Sequence, residues 1–213
     1  MAITNQEIHG FRWKAYTNSV DSSPRIVRAP VATGYQAQVA ATYNVALSPG
    51  DPLQRLSDGS VILCPGTEGT PGIIFGVLHD VKPYWDGTRM QFGSYLPGGT
   101  AWGTNEARRS WVGLIPAFGA LFEIDVTVPG ANDTVGEFIG LIENNADHIL
   151  TAVVAGVQSK PKINFTSVGT DAEQWRVKDI SRSAHMRDYA GANVKVLVTA
   201  NEGQGEKYST TGT

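Results

Sequence analysis

Short apolar runs separated by turn-forming residues occur along most of the chain, and this pattern predicts a mainly β protein. The clearest run covers residues 121–128, where large apolar side chains alternate with Glu123 and Asp125. Such alternation is typical of a strand with one buried face. We expect a half-buried strand with both carboxylates in solvent, in preference to a glycosidase pair or a calcium site.

The Asp58-Gly59 step between the apolar runs 53–56 and 61–64 predicts a tight β-hairpin. Asp tolerates and Gly favours the positive φ angles of a type I′ turn. Residues 72–78 are rich in β-formers and contain glycine, which favours a central strand over a helix. Further strands are expected over residues 111–115, 149–157, 163–168, 175–180 and 194–198.

One segment has helical spacing. Thr134 and Glu137 are spaced as a capping box, and the apolar residues of the segment 135–142 follow a helical period. Glycines at 136 and 140 disfavour this short helix, and the alternative is a strand over residues 138–142.

Residues 1–34 combine cations and aromatic side chains without a sustained period. We interpret them as an extended N-terminal arm that lies across a partner protein. The alternative is an ordinary first strand packed on its own domain. The contacts of the arm are expected to come from Arg12, Trp13, Tyr16, Arg25 and Arg28.

The rest of the chain is expected to form a single β-rich body over residues 35–200, as a β-barrel or β-sandwich with at most one or two short helices. Two β-subdomains are the alternative organisation. Glycine and proline predict a loop insertion over about residues 80–110, and the polar residues 201–213 are expected to be a mobile tail.

Charge and hydropathy exclude several classes of partner. The chain has 17 Lys and Arg against 20 Asp and Glu, a net charge of -3, so nothing attracts it as a whole to nucleic acid. No apolar run approaches the roughly 20 residues of a membrane span, and the first residues do not resemble a signal peptide. We therefore expect assembly in the cytoplasm, with no nucleic-acid or membrane partner.

The sequence contains no pattern typical of a catalytic, metal or cofactor site. The four histidines are scattered, and the single cysteine, Cys64, lies in an apolar run where a buried, inert thiol is expected. Phosphate-binding glycine loops and the serine-hydrolase elbow are missing. His79 and Asp80, at a strand end, are more simply solvated side chains than a catalytic pair. We predict no enzymatic activity and no cofactor.

Arg108, Arg109 and Trp111 form a second candidate contact patch. Arg and Trp anchor protein interfaces more often than other residue types. The alternative is a pair of surface arginines that snorkel beside a core tryptophan.

Three stretches resemble the head decoration proteins of tailed bacteriophages: Gly50-Asp51-Pro52-Leu53, residues 56–61 and residues 70–77. In that family an extended arm leads to a Gly-Asp-Pro step, an Asp-Gly hairpin and a Pro-x-Gly-Ile/Val strand of a small β-barrel. Residues 175–180, 188–190 and 194–198 are similar to the closing part of such virion proteins. The chain departs from the smallest members by a longer middle section.

The resemblance implies a protein on the exterior of the virion that binds the major capsid protein and clamps neighbouring coat subunits. It also implies a homo-oligomer, with a trimer favoured over a dimer. A tail, neck or fibre-attachment protein is the first alternative. A carbohydrate-binding module, with Trp85, Trp102 and Trp111 as stacking platforms, is the second, and an enzyme with an unrecognised site is the third.

Overall fold

The computed structural model describes residues 10–17, 23–32, 46–66, 73–85, 88–96, 110–127, 138–150, 161–167, 174–181 and 194–201. Within these residues the fold is mainly β, as the sequence predicts, and neighbouring strands in the sheets are antiparallel. The strands are β1 (Arg12–Tyr16), β2 (Val27–Pro30), β3 (Pro52–Arg55), β4 (Val61–Leu63), β5 (Gly76–Val81), β6 (Tyr84–Trp85), β7 (Met90–Gln91), β8 (Trp111–Pro116), β9 (Ala120–Asp125), β10 (Asn145–Ala146), β11 (His148–Ile149), β12 (Lys162–Ile163), β13 (Trp175–Ile180) and β14 (Lys195–Ala200).

Sheet 1 has the strand order β1-β9-β14-β13-β10. Alternate residues of β9, β13 and β14 point to one side and bury their apolar side chains there. We call this buried cluster core 1, and its members include Phe11, Phe122, Phe138, Trp175, Val177 and Val196.

Sheet 2 has the order β2-β8-β5-β3-β4. β5 is its central strand, as predicted, but it overlaps the expected strand 72–78 only at residues 76–78 and continues to Val81. The sheet curls towards closure, because Val31, just after β2, bridges to Val61 of β4 at the opposite edge. Ala32 reinforces the bridge by donating its N–H to the Val61 carbonyl at 3.1 Å. A second cluster, core 2, fills the curl and includes Leu47, Leu53, Leu78, Leu96, Val112 and Leu114.

The two sheets share core 1, and the described residues include a continuous segment that joins them. β8 of sheet 2 leads through residues 117–119 into β9 of sheet 1, with Gly119 at a φ of 65° in the turn. Val77 and Ile115 of sheet 2 lie in core 1 against the side chains of sheet 1. The result is a sandwich-like arrangement in which one of the two sheets is also strongly curled.

The segment interpreted as an arm belongs to both sheets. β1 pairs with β9 in sheet 1, and β2 pairs with β8 in sheet 2. Phe11 is only 4% exposed and lies in core 1. A segment that is packed in the core of its own domain is already ordered without a partner. The described residues 10–17 and 23–32 therefore do not form a detached arm, and the alternative of strands packed on their own domain describes them.

The Asp58-Gly59 step joins β3 and β4 as predicted, but the turn is not type I′. Gly59 has a φ of 84°, and Asp58 is not among the residues with positive φ. Gly59 donates its N–H to the Leu56 carbonyl at 3.0 Å, and the Asp58 carboxylate accepts the Ser60 N–H at 2.9 Å. The Asp side chain, rather than its backbone angle, therefore fixes this turn.

Residues 138–144 follow successive turns. Leu141, Ile142 and Asn144 each donate an N–H to the carbonyl three residues earlier, so the alternative of a strand over 138–142 is wrong. Thr134 and Glu137 lie outside the described residues, as do the polar residues 202–213. Within the expected loop insertion, β6 and β7 form a short hairpin.

Candidate contact surface

On one face of β8, the side chains at one end of the strand lie in the core and those at the other end lie in solvent. Ile115 lies in core 1, Gly113 is buried, and Trp111 is 46% exposed. Successive residues in this series are two apart, so they share one face of sheet 2. Side chains of core 1 therefore cover the Ile115 end of this face and leave the Trp111 end open.

β2 adds further exposed side chains beside Trp111 on the same face of sheet 2. Arg28 pairs with Gly113 and Pro30 pairs with Trp111, so each pair points to the same side of the sheet. Ile26 lies there too, because a Cβ on Gly113 would meet Ile26 Cγ2 at 3.0 Å. We call Ile26, Arg28 and Trp111 the β2–β8 surface.

The absence of a side chain at Gly113 shapes this surface. Asp80 of β5 occupies the free space, since a Cβ on Gly113 would lie 1.8 Å from Asp80 Oδ1. Lys82 donates a hydrogen bond to the other oxygen of the same carboxylate. The charges of Asp80 and Lys82 cancel each other. The positive charge of the β2 side of this face therefore comes from Arg28.

The β2–β8 surface combines large apolar side chains with a cation. Ile26 is 47% exposed, close to the value for Trp111, and Arg28 is exposed between them. Single exposed apolar residues are ordinary, but a Trp and an Arg beside a branched aliphatic side chain have the composition of interface anchors. This arrangement suits contact with an apolar protein surface that carries acidic side chains.

The end of β2 near Trp111 offers no free N–H to an added strand. Val31 donates its N–H to the Ser110 carbonyl, and N–H groups alternate in direction along a strand. Pro30 therefore occupies an outward position and has no N–H to offer a partner strand. The next outward N–H, that of Ala32, is already bonded to Val61. At this end of β2, contact through the face of sheet 2 is therefore favoured over strand addition.

Three of the predicted arm residues meet in one cluster. The ring centroids of Trp13 and Tyr16 are 5.7 Å apart, and the Arg25 guanidinium carbon lies 5.7 Å from the Tyr16 centroid. Arg25 also donates its backbone N–H to the Tyr16 hydroxyl oxygen at 2.6 Å. Trp13 and Tyr16 pack against core 1. These side chains thus tie the residues before β2 to β1.

The other predicted contact residues lie in different surroundings. Arg12 is exposed on β1 opposite Glu123, whereas Arg28 is exposed on β2. Arg108 and Arg109 lie outside the described residues. Trp111 is about half exposed, so the interpretation as a core tryptophan is wrong.

Glu123 and Asp125 are buried, which corrects the expectation of a solvated strand face. Their exposed fractions are 5% and 1%. Lys14 Nζ lies 2.9 Å from Glu123, Ser181 donates its hydroxyl to Glu123 at 2.6 Å, and Lys195 Nζ lies 3.9 Å from Asp125. Burial alone would raise the pKa of Glu123, but the hydrogen bonds from Ser181 and Lys14 and the nearby positive charges hold it below its ordinary value. The two lysines make this a structural ion-pair network.

A fully buried histidine lies between the two sheets. Trp175 donates its indole Nε1–H to His148 Nδ1 at 3.2 Å, and His148 Nε2 lies 3.1 Å from the Cys64 carbonyl oxygen. Because Nδ1 accepts, the ring proton is on Nε2 and is donated to Cys64. Desolvation lowers the pKa of His148 to about 4, so the ring is neutral at pH 7.

Cys64 is buried beside this histidine, as predicted for an inert thiol. Gln174 donates its side-chain amide to the Pro65 carbonyl at 3.0 Å, and the same nitrogen lies 3.4 Å from Cys64 Sγ. Burial raises the pKa of the thiol. A thiol that stays protonated beside a neutral imidazole is not an activated nucleophile.

The β6–β7 hairpin carries two exposed apolar side chains that the sequence did not single out. Phe92 is 81% exposed and Met90 is 53% exposed. They lie within the predicted loop insertion, but the pattern of residues 80–110 gave no reason to choose them over the nearby tyrosines and tryptophans.

The described residues contain no group of three or more His, Cys, Asp or Glu side chains placed to hold a metal ion. In the same part of the chain, no helix has the length and apolar character needed to cross a membrane. Comparisons of the chain with protein-family models, curated proteins and solved structures found no match. Function is therefore inferred from the β2–β8 surface and its surroundings.

Proposed function

We propose that this chain is a virion structural protein that binds the outer surface of a phage capsid and stabilises contacts between coat subunits. The observation that carries the proposal is the β2–β8 surface, where Ile26 and Trp111 are about half exposed on either side of Arg28. The resemblance of residues 50–53, 56–61 and 70–77 to head decoration proteins supports the same role.

The surface is held in place before any partner arrives. Arg28 and Trp111 sit on paired strands, and Pro30 restricts the backbone between β2 and the bridge at Val31. A contact made by side chains on a fixed backbone loses less conformational entropy on binding than a contact made by a disordered arm. Recognition by the face of sheet 2 therefore replaces the arm as the proposed binding mode.

The proposed mechanism is mechanical. A shell filled with DNA fails where neighbouring coat subunits separate, and a protein bound across that seam must be released before it opens. Repetition of the contact over symmetric copies multiplies a modest individual affinity. We propose a homo-oligomer, with a trimer favoured over a dimer, because its copies would present several β2–β8 surfaces to one group of coat subunits.

A co-sedimentation assay tests the proposal. Shells assembled from the major capsid protein of the same virus are mixed with the full chain, and the bound protein is measured at increasing concentration. Ile26→Asp and Trp111→Ala are expected to weaken binding by tenfold or more, since each removes an apolar side chain that the coat surface would bury in the complex. The matched control is Ile139→Asp, because Ile139 is similarly exposed, at 54%, and lies outside the β2–β8 surface.

Each outcome bears on a different part of the proposal. Binding by the wild type and by Ile139→Asp, with loss in the other two variants, would support it. Equal binding by all four proteins would show that another surface makes the contact. A wild-type chain that folds but does not bind these shells would overturn the proposed function.

A further inference from the structure

His148 connects the two sheets through both of its ring nitrogens. Cys64 directly follows β4 of sheet 2, and Trp175 begins β13 of sheet 1. The neutral ring accepts the indole proton of Trp175 at Nδ1 and donates its own proton to the Cys64 carbonyl from Nε2. These two hydrogen bonds are possible together in only one protonation state.

The ring has little space in which to adjust. A Cβ on Gly66 would lie 2.5 Å from His148 Cδ2, and the Phe11 ring centroid is 6.0 Å from that of the imidazole. A second proton on Nδ1 would place two N–H donors against each other at the Trp175 contact. Because the ring is enclosed, it can relieve that contact only if the surrounding segments separate.

We propose that His148 is an acid-sensitive latch: protonation of Nδ1 breaks its contact with Trp175 and separates the segment around Cys64 from sheet 1. At neutral pH the latch is closed. In acid the segment around Cys64 opens before the whole chain unfolds. The inference concerns the interior of the fold and does not depend on the proposed function.

Besides His148 itself, the described groups packed around the ring include two that can titrate, the Cys64 thiol and the Asp147 carboxyl group. Of the described residues against it, Phe11, Gly66, Gln174 and Trp175 do not titrate. The Cys64 thiol is kept protonated by burial. Asp147, the preceding residue, accepts the backbone N–H of Gln174 at 3.4 Å and is only 8% exposed. The low pKa of the imidazole agrees with a closed state that resists protonation.

Labelling of Cys64 with 4,4′-dithiodipyridine, which reacts with thiols in acid, measures the opening directly. Cys64 is the only cysteine in the chain and is fully buried. The rate at about pH 7, 6 and 5 is divided by the rate for the urea-unfolded chain at the same pH. A single histidine with a depressed pKa predicts an increase of up to about tenfold per pH unit over this range.

Two variants identify the group responsible. His148→Gln cannot gain the proton, so its normalised labelling rate is expected to stay level between about pH 6 and 5. His79→Gln is the matched control, since His79 is exposed on β5, and it should respond as the wild type does. If His148→Gln does not fold, His148→Asn replaces it; this side chain cannot gain a proton either, so its normalised labelling rate should also stay level.

Urea unfolding followed by circular dichroism gives the global unfolding constant at each pH. Labelling that is faster than this constant allows, and that increases in acid only when His148 is present, supports the latch. An equal increase in His148→Gln, or in His148→Asn when that variant is the one tested, overturns it. Labelling that matches global unfolding at every pH also overturns it, because the segment then does not open separately.

Discussion

Phe11 stacks on Trp175, with ring centroids 4.1 Å apart and ring planes inclined by 24°. Trp175 is fully buried on β13, and Phe11 immediately precedes β1. An aromatic ring from the N-terminal segment therefore lies in the centre of core 1, where it also contacts Phe122 edge-on. Loss of this ring should affect the whole domain.

We expect Phe11→Ala to lower the free energy of unfolding by about 3–5 kcal/mol, because it leaves a cavity among rigid aromatic neighbours. Urea unfolding at pH 7 measures the change. Phe92→Ala is the control, since Phe92 is 81% exposed, and it should alter stability by less than about 0.5 kcal/mol. Equal effects of the two variants would contradict the placement of Phe11 in the core.

Glu123→Gln tests the buried ion-pair network. The variant keeps the volume of the side chain but removes the charge that Lys14 and Ser181 stabilise, so we expect a loss of about 1–3 kcal/mol at pH 7. A carboxyl group whose pKa is lowered by folding stabilises the fold above its unfolded pKa of about 4.3. The wild type should thus lose its advantage as the pH falls below that value and through the pKa of the folded state.

Glu143→Gln is the matched control for this measurement. Glu143 also forms ion pairs, with Arg176 at 2.7 Å and Lys178 at 3.1 Å, but it is exposed to solvent. We expect little change in stability at any pH. A larger effect at Glu143 than at Glu123 would refute the argument from burial.

Gly66→Ala tests the close packing of His148. The new Cβ would lie 2.1 Å from the His148 carbonyl oxygen, and that backbone atom cannot move without displacing β11. We expect destabilisation of about 1–3 kcal/mol or more by chemical denaturation. Gly93→Ala should cost less, because its nearest neighbour would be 3.3 Å away. The reverse order would show that the packing around His148 is loose.

Gly113→Ala separates the shape of the β2–β8 surface from the stability of the fold. Its Cβ would displace the ends of the flexible Asp80 and Ile26 side chains, so the unfolding free energy should change by less than about 1 kcal/mol. Shell binding should weaken, since Ile26 can no longer keep its position. Unchanged binding would mean that this position of Ile26 is not needed for the contact.

Local patterns in the sequence predict most strands but not where their side chains lie. The strand expected over residues 163–168 is wrong, because β12 ends at Ile163 and Phe165–Ser167 form a 3-10 helix. The runs that became β4, β5, β8, β9, β13 and β14 are short and apolar, and turn chemistry marks their ends. The burial of Glu123 and Asp125 could not be predicted in this way. It depends on Lys14 and Lys195 meeting them across β1 and β14, and only strand register determines those neighbours.

The same limit applies to the N-terminal segment and to the contact surface. Cations and aromatic residues without a period suggested an arm, yet Phe11 and Trp13 pack on strands more than a hundred positions later in the chain. Ile26 lies near the arginines at 25 and 28 and gave no sign that it would meet Gly113. Such long-range pairings leave no local signature in one sequence.

The passage from β8 into β9 determines how the protein would carry a pulling force. A load applied at Trp111 is transmitted along the backbone of β8, through residues 117–119, and into β9, an interior strand of sheet 1. Both strands are flanked by antiparallel neighbours on each side, so their hydrogen bonds share tension in parallel instead of opening one after another. A force on one sheet is thereby distributed over both, and residues 117–119 transmit it from one sheet to the other.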